Sequence, residues 1–322
     1  MTKPLTVTLN PALDKTISLS EFQVGGLNRL ETMPILDPGG KGVNVAKVLK
    51  QLNITPHATG FTAGSTGKTI GHALDQLDIH HNFQEVTGDV RTNLKIVDQS
   101  QGVTTEINEP GFTVDHNDLQ ALQEKLTSLL PETTYVVLGG STPSGIGDHQ
   151  YKEFINLAHE YGVKTILDAS GPALKEGLRA KPFAIKPNIH ELEELYDTTF
   201  ESTESIVQAC RDIVADGVNM VVVSLGGDGA LFINEDQAYL VKPFPITPQS
   251  TVGAGDSMVG AMVYALTQGY DFETLAKWAT TAGTITASKA GTTVCTLDEI
   301  QTHVSSVTVE SIDLTKIGRL ET

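Results

Sequence analysis

Cysteine is almost missing from this chain of 322 residues: Cys210 and Cys295 are its only two and stand far apart. Neither a disulfide framework nor a clustered zinc site is suggested, and a reducing compartment fits. Cations are scarce as well. With 22 Lys and Arg against 39 Asp and Glu, the net charge of −17 argues against a nucleic-acid partner, because phosphate backbones are held by clustered Lys and Arg. A small phosphorylated ligand is not excluded, since a few local cations and backbone N–H groups bind a phosphate whatever the total charge. The most apolar later stretch, residues 258–266, is about half of the ~20 residues that cross a bilayer, so no membrane partner is expected. No charged n-region, apolar h-region or cleavage site precedes the strand-like run at residues 5–9, and a cytoplasmic protein is the expectation.

Several catalytic signatures are absent too. There is no H-E-x-x-H pair and no G-x-S-x-G elbow, which removes support for metalloprotease and serine-hydrolase chemistry. Gly64-Ser65-Thr66-Gly67-Lys68-Thr69 ends like a P-loop, but Thr62 stands where its first glycine belongs. That run reads as a strand-to-helix turn with Lys68 exposed.

What is present is enough apolar residue, 39%, to bury a substantial core. From about residue 40, helical periods alternate with short β-branched runs at 135–138, 164–167, 183–185 and 220–224, the pattern of a mostly parallel sheet with helices on both faces. In residues 42–53, Val45, Val48, Leu49 and Leu52 share one helical face, so that helix packs on the sheet. Residues 15–36 and 91–108 break the alternation with strand-like runs and no helix between them, and are read as a small separate sheet. Along the second, Arg91, Asn93 and Lys95 share one side of a period-two strand, either as a ligand-directed face or as a solvated edge. No linker divides the chain, so residues 1–322 are read as a single domain carrying a small lid.

Two glycine-rich runs precede helices. Thr251-Val252-Gly253-Ala254-Gly255-Asp256 opens a helix that is apolar nearly all round, and Asp256 is the only charged side chain between Thr251 and Gly269. Its N–H groups suit an anion, while Asp256 either caps the helix or accepts a proton from an attacking hydroxyl. Asp37-Pro38-Gly39-Gly40-Lys41-Gly42-Val43-Asn44 suits a phosphate or polyol equally well as a sharp turn. Asp14, after Asn10-Pro11-Ala12-Leu13, could accept hydrogen bonds from sugar hydroxyls or belong to an ordinary turn. Asn188 and Glu191, in Lys186-Pro187-Asn188-Ile189-His190-Glu191, are spaced as a capping box and could also organise magnesium and nucleotide phosphates. Ser224-Leu225-Gly226-Gly227-Asp228-Gly229 is either a nucleotide-approaching turn or a plain hairpin, and it lacks the G-x-G-x-x-G fingerprint of a dinucleotide fold.

In this order, those segments resemble the PfkB carbohydrate kinases over nearly the whole chain. The resemblance implies a ribokinase-like three-layer α/β/α core with a mostly parallel sheet and a β-sheet lid, and it implies ATP and magnesium. Carried onto matching positions, it makes Asp256 the base and Gly253, Ala254 and Gly255 an anion hole. It sets Lys186, Asn188 and the metal-side Glu191 near ATP phosphates, with Ser224, Gly226, Gly227, Asp228 and Gly229 in a nucleotide-binding turn. Asp14, Gly40, Lys41 and Asn44 then face the sugar phosphate. Gly88-Asp89-Val90-Arg91-Thr92-Asn93-Leu94-Lys95 and Thr105-Glu106-Ile107-Asn108-Glu109-Pro110-Gly111 are similar to the 1-phosphofructokinase branch, with Arg91 and Ser141 joining Lys41 at the substrate phosphate and Asn93 beside them. The implied reaction is phosphorylation of fructose 1-phosphate at its 6-hydroxyl. Tagatose-6-phosphate kinase is the alternative branch, and a catalytically silent sugar-phosphate-binding regulator is the alternative class. Position 169, in Leu167-Asp168-Ala169-Ser170-Gly171, is variable and does not decide activity. A homodimer through the lid is the expected assembly.

Overall fold

Apolar side chains alternate along the strands and assign each residue to one of two buried faces. In Thr133–Gly139, Val136 and Leu138 pack in a cluster with Tyr151, Phe154 and Ile155, while Tyr135 and Val137 pack in another with Val45, Leu49, Met258 and Met262. Val221 and Val223 against Met220 and Val222 repeat the division in Met220–Ser224. Helices therefore cover both faces, and the core is the three-layer α/β/α arrangement. The structure, a computed structural model, describes residues 3–317.

The main sheet has eleven strands. From one edge it runs Thr308–Ser311, Ala238–Lys242, Ala230–Ile233, Met220–Ser224, Ala184–Ile185, Lys164–Asp168, Thr133–Gly139, Lys3–Thr8, His57–Ala63 and His80–His81, with Gln84–Val86 also beside His57–Ala63. Pairing is parallel from His80–His81 through to Met220–Ser224 and antiparallel beyond it. Three of the expected strands lie where the pattern indicated, and the run at 183–185 keeps only Ala184–Ile185. Among the described residues no helix is long and apolar enough to cross a membrane.

The small separate sheet has four strands in the order Ile35–Gly39, Ala12–Leu19, Arg91–Asp98, Val103–Asn108. Its first two strands begin and end outside the expected 15–36, and residues 20–34 form no strand. The apolar Val24, Leu27 and Met33 there are 88%, 72% and 88% exposed, so they have no sheet face to fill. Gly25, at φ +75°, turns the chain within that stretch.

Gly64-Ser65-Thr66-Gly67-Lys68-Thr69 is corrected from a turn to the opening of the helix Gly64–Gln76. Asp89, from another segment, accepts hydrogen bonds from Thr66 N at 2.9 Å and Ser65 Oγ at 3.2 Å, so the helix start is capped at long range and no local signal announces it. Lys68 is exposed, as expected.

Two helices carry the polar groups that matter below. Lys41–Gln51 and Ala254–Gln268 cross closely because Gly260 lacks a side chain: a Cβ there would collide with Val48 Cγ1 and approach Val48 Cβ to 2.8 Å. Their N-termini meet the carboxyl ends of Lys3–Thr8, Thr133–Gly139 and Lys164–Asp168, where parallel α/β sheets form their clefts. We expect Gly260→Ala to destabilise the protein by about 1–3 kcal/mol through overpacking. In urea unfolding, Val48→Ala added to it should restore part of that loss, and an unaltered midpoint for Gly260→Ala alone would show that the crossing has slack.

Candidate active site

A cavity of about 240 Å³ opens between the small sheet and the carboxyl ends of the main-sheet strands. It is lined by Asp14, Gly40, Lys41, Asn44, Arg91, Asn93 and Ser141, all seven residues expected on the substrate side. The sequence reading assigned no role to Asn10, Glu106 and Asn108 and placed Lys95 only on the polar side of its strand; all four line the cavity as well. Parallel pairing of Ala12–Leu19 with Arg91–Asp98 sets Asp14 opposite Asn93. Asn93 Nδ2 then donates to Asp14 Oδ1 at 3.0 Å, and Lys95 Nζ donates to Oδ2 at 2.9 Å. Both members of the Asp14–Lys95 pair are buried, and Arg91, Asn93 and Lys95 all line the cavity, so the period-two stripe is a cavity wall and not a solvated edge.

Arg91 is anchored by its guanidinium to Asn10 O at 3.2 Å and Glu109 O at 3.4 Å. Burial lowers its pKa against the opposing effect of Asp14. Arg91 Nε, Asn93 Oδ1 and Asn10 Oδ1 are buried without a partner, three polar atoms beside a polar cavity. Unmade hydrogen bonds of this kind are costly in the interior: Arg91 Nε can donate to an oxygen of a ligand, and the two amide oxygens can accept from hydroxyl groups.

Asp256 lies one hydrogen bond behind this lining: Asn44 Nδ2 donates to its Oδ2 at 2.8 Å. Asn44 is held in turn by Lys47, whose Nζ donates to Asn44 Oδ1 at 3.4 Å and to Pro38 O at 3.0 Å. Burial and the neighbouring Asp168 push the Asp256 carboxyl up to about 6, opposed by Lys41, the Asn44 hydrogen bond and Lys186. No side-chain cap bond is made at this helix start, so Asp256 is not serving as the N-cap; that position is Gly253, at φ +78°. A carboxylate with this pKa, at a helix N-terminus, can take a proton near neutral pH.

Asp168 is the largest omission from the sequence reading. Its side chain is 2% exposed, and its two oxygens meet Lys41 Nζ at 2.7 Å and Lys186 Nζ at 3.4 Å. Burial would raise its pKa, but Lys186 and Lys41 outweigh that and lower it. For Lys41 burial acts downward, and Asp168, Glu191 and Asp256 more than offset it. Lys186 reaches the opening of Ala254–Gln268: a Cβ on Gly255 would stand 3.2 Å from Lys186 Nζ. Gly253, Ala254 and Gly255 therefore form a cradle with a lysine head beside it, fit for a phosphate.

The remaining expected residues form a second group beside Lys186. Asn188 and Glu191 make a true capping box on Ile189–Tyr196, with Asn188 Oδ1 accepting from Glu191 N at 2.9 Å and Glu191 Oε2 accepting from Asn188 N at 2.8 Å. Asn188 pairs with Ser224 through a β-bridge. Gly226, Gly227 and Asp228 form a single 3₁₀ turn, and Gly229 joins it to Ala230–Ile233, so the segment is a hairpin. Open space surrounds Gly226 and Gly227, whereas a Cβ on Gly229 would collide with Val241 O. Among the described residues no three His, Cys, Asp or Glu side chains are grouped to hold a metal.

The model of the pfkB family carbohydrate kinases matches residues 7–299. The 1-phosphofructokinase of Borreliella burgdorferi is 37% identical over 308 residues, covering 95% of this chain and 98% of that protein. The 1-phosphofructokinase of Rhodobacter capsulatus is 39% identical over 277 residues, covering 85% and 87%. The crystal structure of phosphofructokinase-2 from Escherichia coli in complex with fructose-6-phosphate superposes with a TM-score of 0.89 at 29% identity, covering 95% of this chain and 99% of that one.

Asp256 has a folded pKa of about 6 against an ordinary 3.8, so the folded state binds its proton more tightly than the unfolded state. Stability from this source is full below about pH 4 and is lost as pH rises through about 6. We expect Asp256→Asn, which cannot titrate, to gain on the wild type between pH 4 and 7 by up to ~3 kcal/mol. Asn44→Ala, by removing a bond to the charged form, should move the Asp256 titration in carboxyl NMR to higher pH. A wild-type titration near 4 would contradict the burial.

Proposed function

We propose that this chain, which belongs to the pfkB family of carbohydrate kinases and is an ATP-dependent sugar-phosphate kinase, phosphorylates fructose 1-phosphate at its 6-hydroxyl to give fructose 1,6-bisphosphate. The observation that carries the reading is Asp256, a buried carboxylate between two cationic sites: the cavity with Lys41 and Arg91, and the Gly255 cradle with Lys186.

In this mechanism Arg91 and Lys41 hold the phosphate already on the sugar, aided by Ser141. Asp14, fixed by Asn93 and Lys95, accepts hydrogen bonds from the sugar hydroxyls. ATP supplies the γ-phosphoryl group, and magnesium, when bound, would supply positive charge against its phosphates. Asp256 removes the proton as the 6-oxygen forms its bond to phosphorus and the bond to the ADP oxygen breaks. The N–H groups of Gly253, Ala254 and Gly255, with Lys186, stabilise charge on the transferred group. Gly226 and Gly227, in open space, let a nucleotide approach the hairpin. Glu191 accepts from Asn188 N through Oε2, and its Oε1 would be the oxygen this chain offers toward magnesium.

Tagatose 6-phosphate is the alternative substrate, and fructose 6-phosphate, held by the E. coli phosphofructokinase-2 in its crystal structure, is a third candidate. A site built to pair every buried polar group rejects a wrong epimer by on the order of 100-fold. Catalytic efficiency on the three sugar phosphates at matched ATP should be highest for fructose 1-phosphate. A tenfold preference for either other sugar would overturn the substrate. Folded Asp256→Asn should lose ~100- to 10,000-fold in turnover; near-normal turnover would remove the base, and no turnover by the wild type would favour a silent regulator.

A cytoplasmic homodimer through the small sheet is part of the same reading. Leu36, Val103 and Ile107 are apolar, exposed and on the same face of the small sheet, a group that a second copy would cover. Ile107→Glu should shift sedimentation from dimer to monomer, and a wild type that sediments as a monomer would exclude this assembly.

A further inference from the structure

We propose that Asp168 is the positioning residue of the phosphoryl-transfer site, holding Lys41 at the sugar-phosphate cavity and Lys186 at the Gly255 cradle as one unit. Each of its oxygens is taken by a different ammonium, Oδ1 by Lys41 at 2.7 Å and Oδ2 by Lys186 at 3.4 Å, and its side chain is 2% exposed. It acts on the reaction through the two lysines.

The backbone around it is shaped for this pairing. Asp168 O accepts from Gly140 N at 3.1 Å, and a Cβ on the facing Gly139 would press on both Asp168 O and Lys41 Cβ at 3.2 Å. The missing Cβ leaves Lys41 room beside the carboxylate without a shift of either neighbour. The two lysines come from distant segments, one opening the helix Lys41–Gln51 and the other following Ala184–Ile185, and Asp168 is the carboxylate at ion-pair distance from both.

Without Asp168 the two ammoniums would repel each other, and Asp256 would be the nearest remaining buried carboxylate for them. The groups acting on Asp256 are Asp168, Lys41, Asn44 and Lys186, with Lys47 reaching it electrostatically. Of these only Asp168 is negative. Asp168 therefore has two linked effects: it keeps each lysine on its own phosphate site, and it keeps both from pairing with Asp256.

The inference rests on the kinase reading with Asp256 as base, and the readouts separate the two. In Asp168→Asn, the Michaelis constants for the sugar phosphate and for ATP should both rise about tenfold or more, because both phosphate sites lose an ordered cation. The acid limb of kcat should move to lower pH, since Asp256 loses its anionic neighbour. A packing defect alone would leave that limb in place. Both constants within twofold of wild type with an unmoved limb would overturn the proposal. Failure of the base reading looks different: turnover would survive in Asp256→Asn. Should Asp168→Asn not fold, Asp168→Glu keeps the charge on a longer arm and is compared in wild-type and Lys41→Met backgrounds. Its effect on the sugar-phosphate constant should vanish once Lys41 is gone. An equal rise in both backgrounds would refute action through Lys41.

Discussion

Asp168 and Asp256, both buried, face Lys41 and Lys186 across the meeting point of two helices and one strand end, and the site depends on how those four charges are shared. Burying a charge costs several kcal/mol unless it is paired, so the arrangement persists only because anions and cations are equal in number. They are not shared equally. Asp168 takes both lysines at ion-pair distance, and Asp256 keeps a neutral partner in Asn44. One carboxylate is thereby held low and the other raised. Environments that push two carboxylates apart in this way are how a fold keeps one as a fixed charge and the other for proton transfer.

A second charge cluster, in the small sheet, follows different logic. Asp14 and Lys95 form a buried pair with Asn93 as a further donor, which fixes the carboxylate on the cavity wall. The unpaired atoms of Asn10, Asn93 and Arg91 surround it. Stability alone would not select such a wall, because each unpartnered buried atom costs free energy that a ligand recovers on binding. Rigid amide oxygens with vacant accepting capacity favour recognition of hydroxyl stereochemistry, and the cations beside them favour an anion.

How much of this was legible depended on whether a residue's partner lay nearby in sequence. The alternation of apolar residues in 135–138 and 220–224 read directly as strands, and Asn188 with Glu191 read as the capping box it is. The Gly40-Lys41 and Gly253-to-Asp256 runs were recognisable because glycine beside a helix start has few other uses. Asp168 carried no signal beside the variable position 169, since its meaning lies in Lys41, 127 residues away. Lys95 was seen on the polar side of its strand, yet its partner Asp14 is 81 residues earlier. Residues 20–34 misled in the opposite sense: apolar side chains suggested strand, and exposure shows that composition without a partner face makes none.

The net charge of −17 finally bears on where the cations are and not on how many there are. An acidic protein repels phosphorylated ligands at long range, so neither substrate gains from steering. Recognition must then come at contact distance, where Arg91, Lys95 and Lys41 line one cavity and Lys186 stands at the adjoining cradle. Screening by salt weakens long-range repulsion more than it weakens buried contacts. Moderate salt should therefore cost this site less than it costs a protein that gathers its anionic ligands with an exposed basic surface.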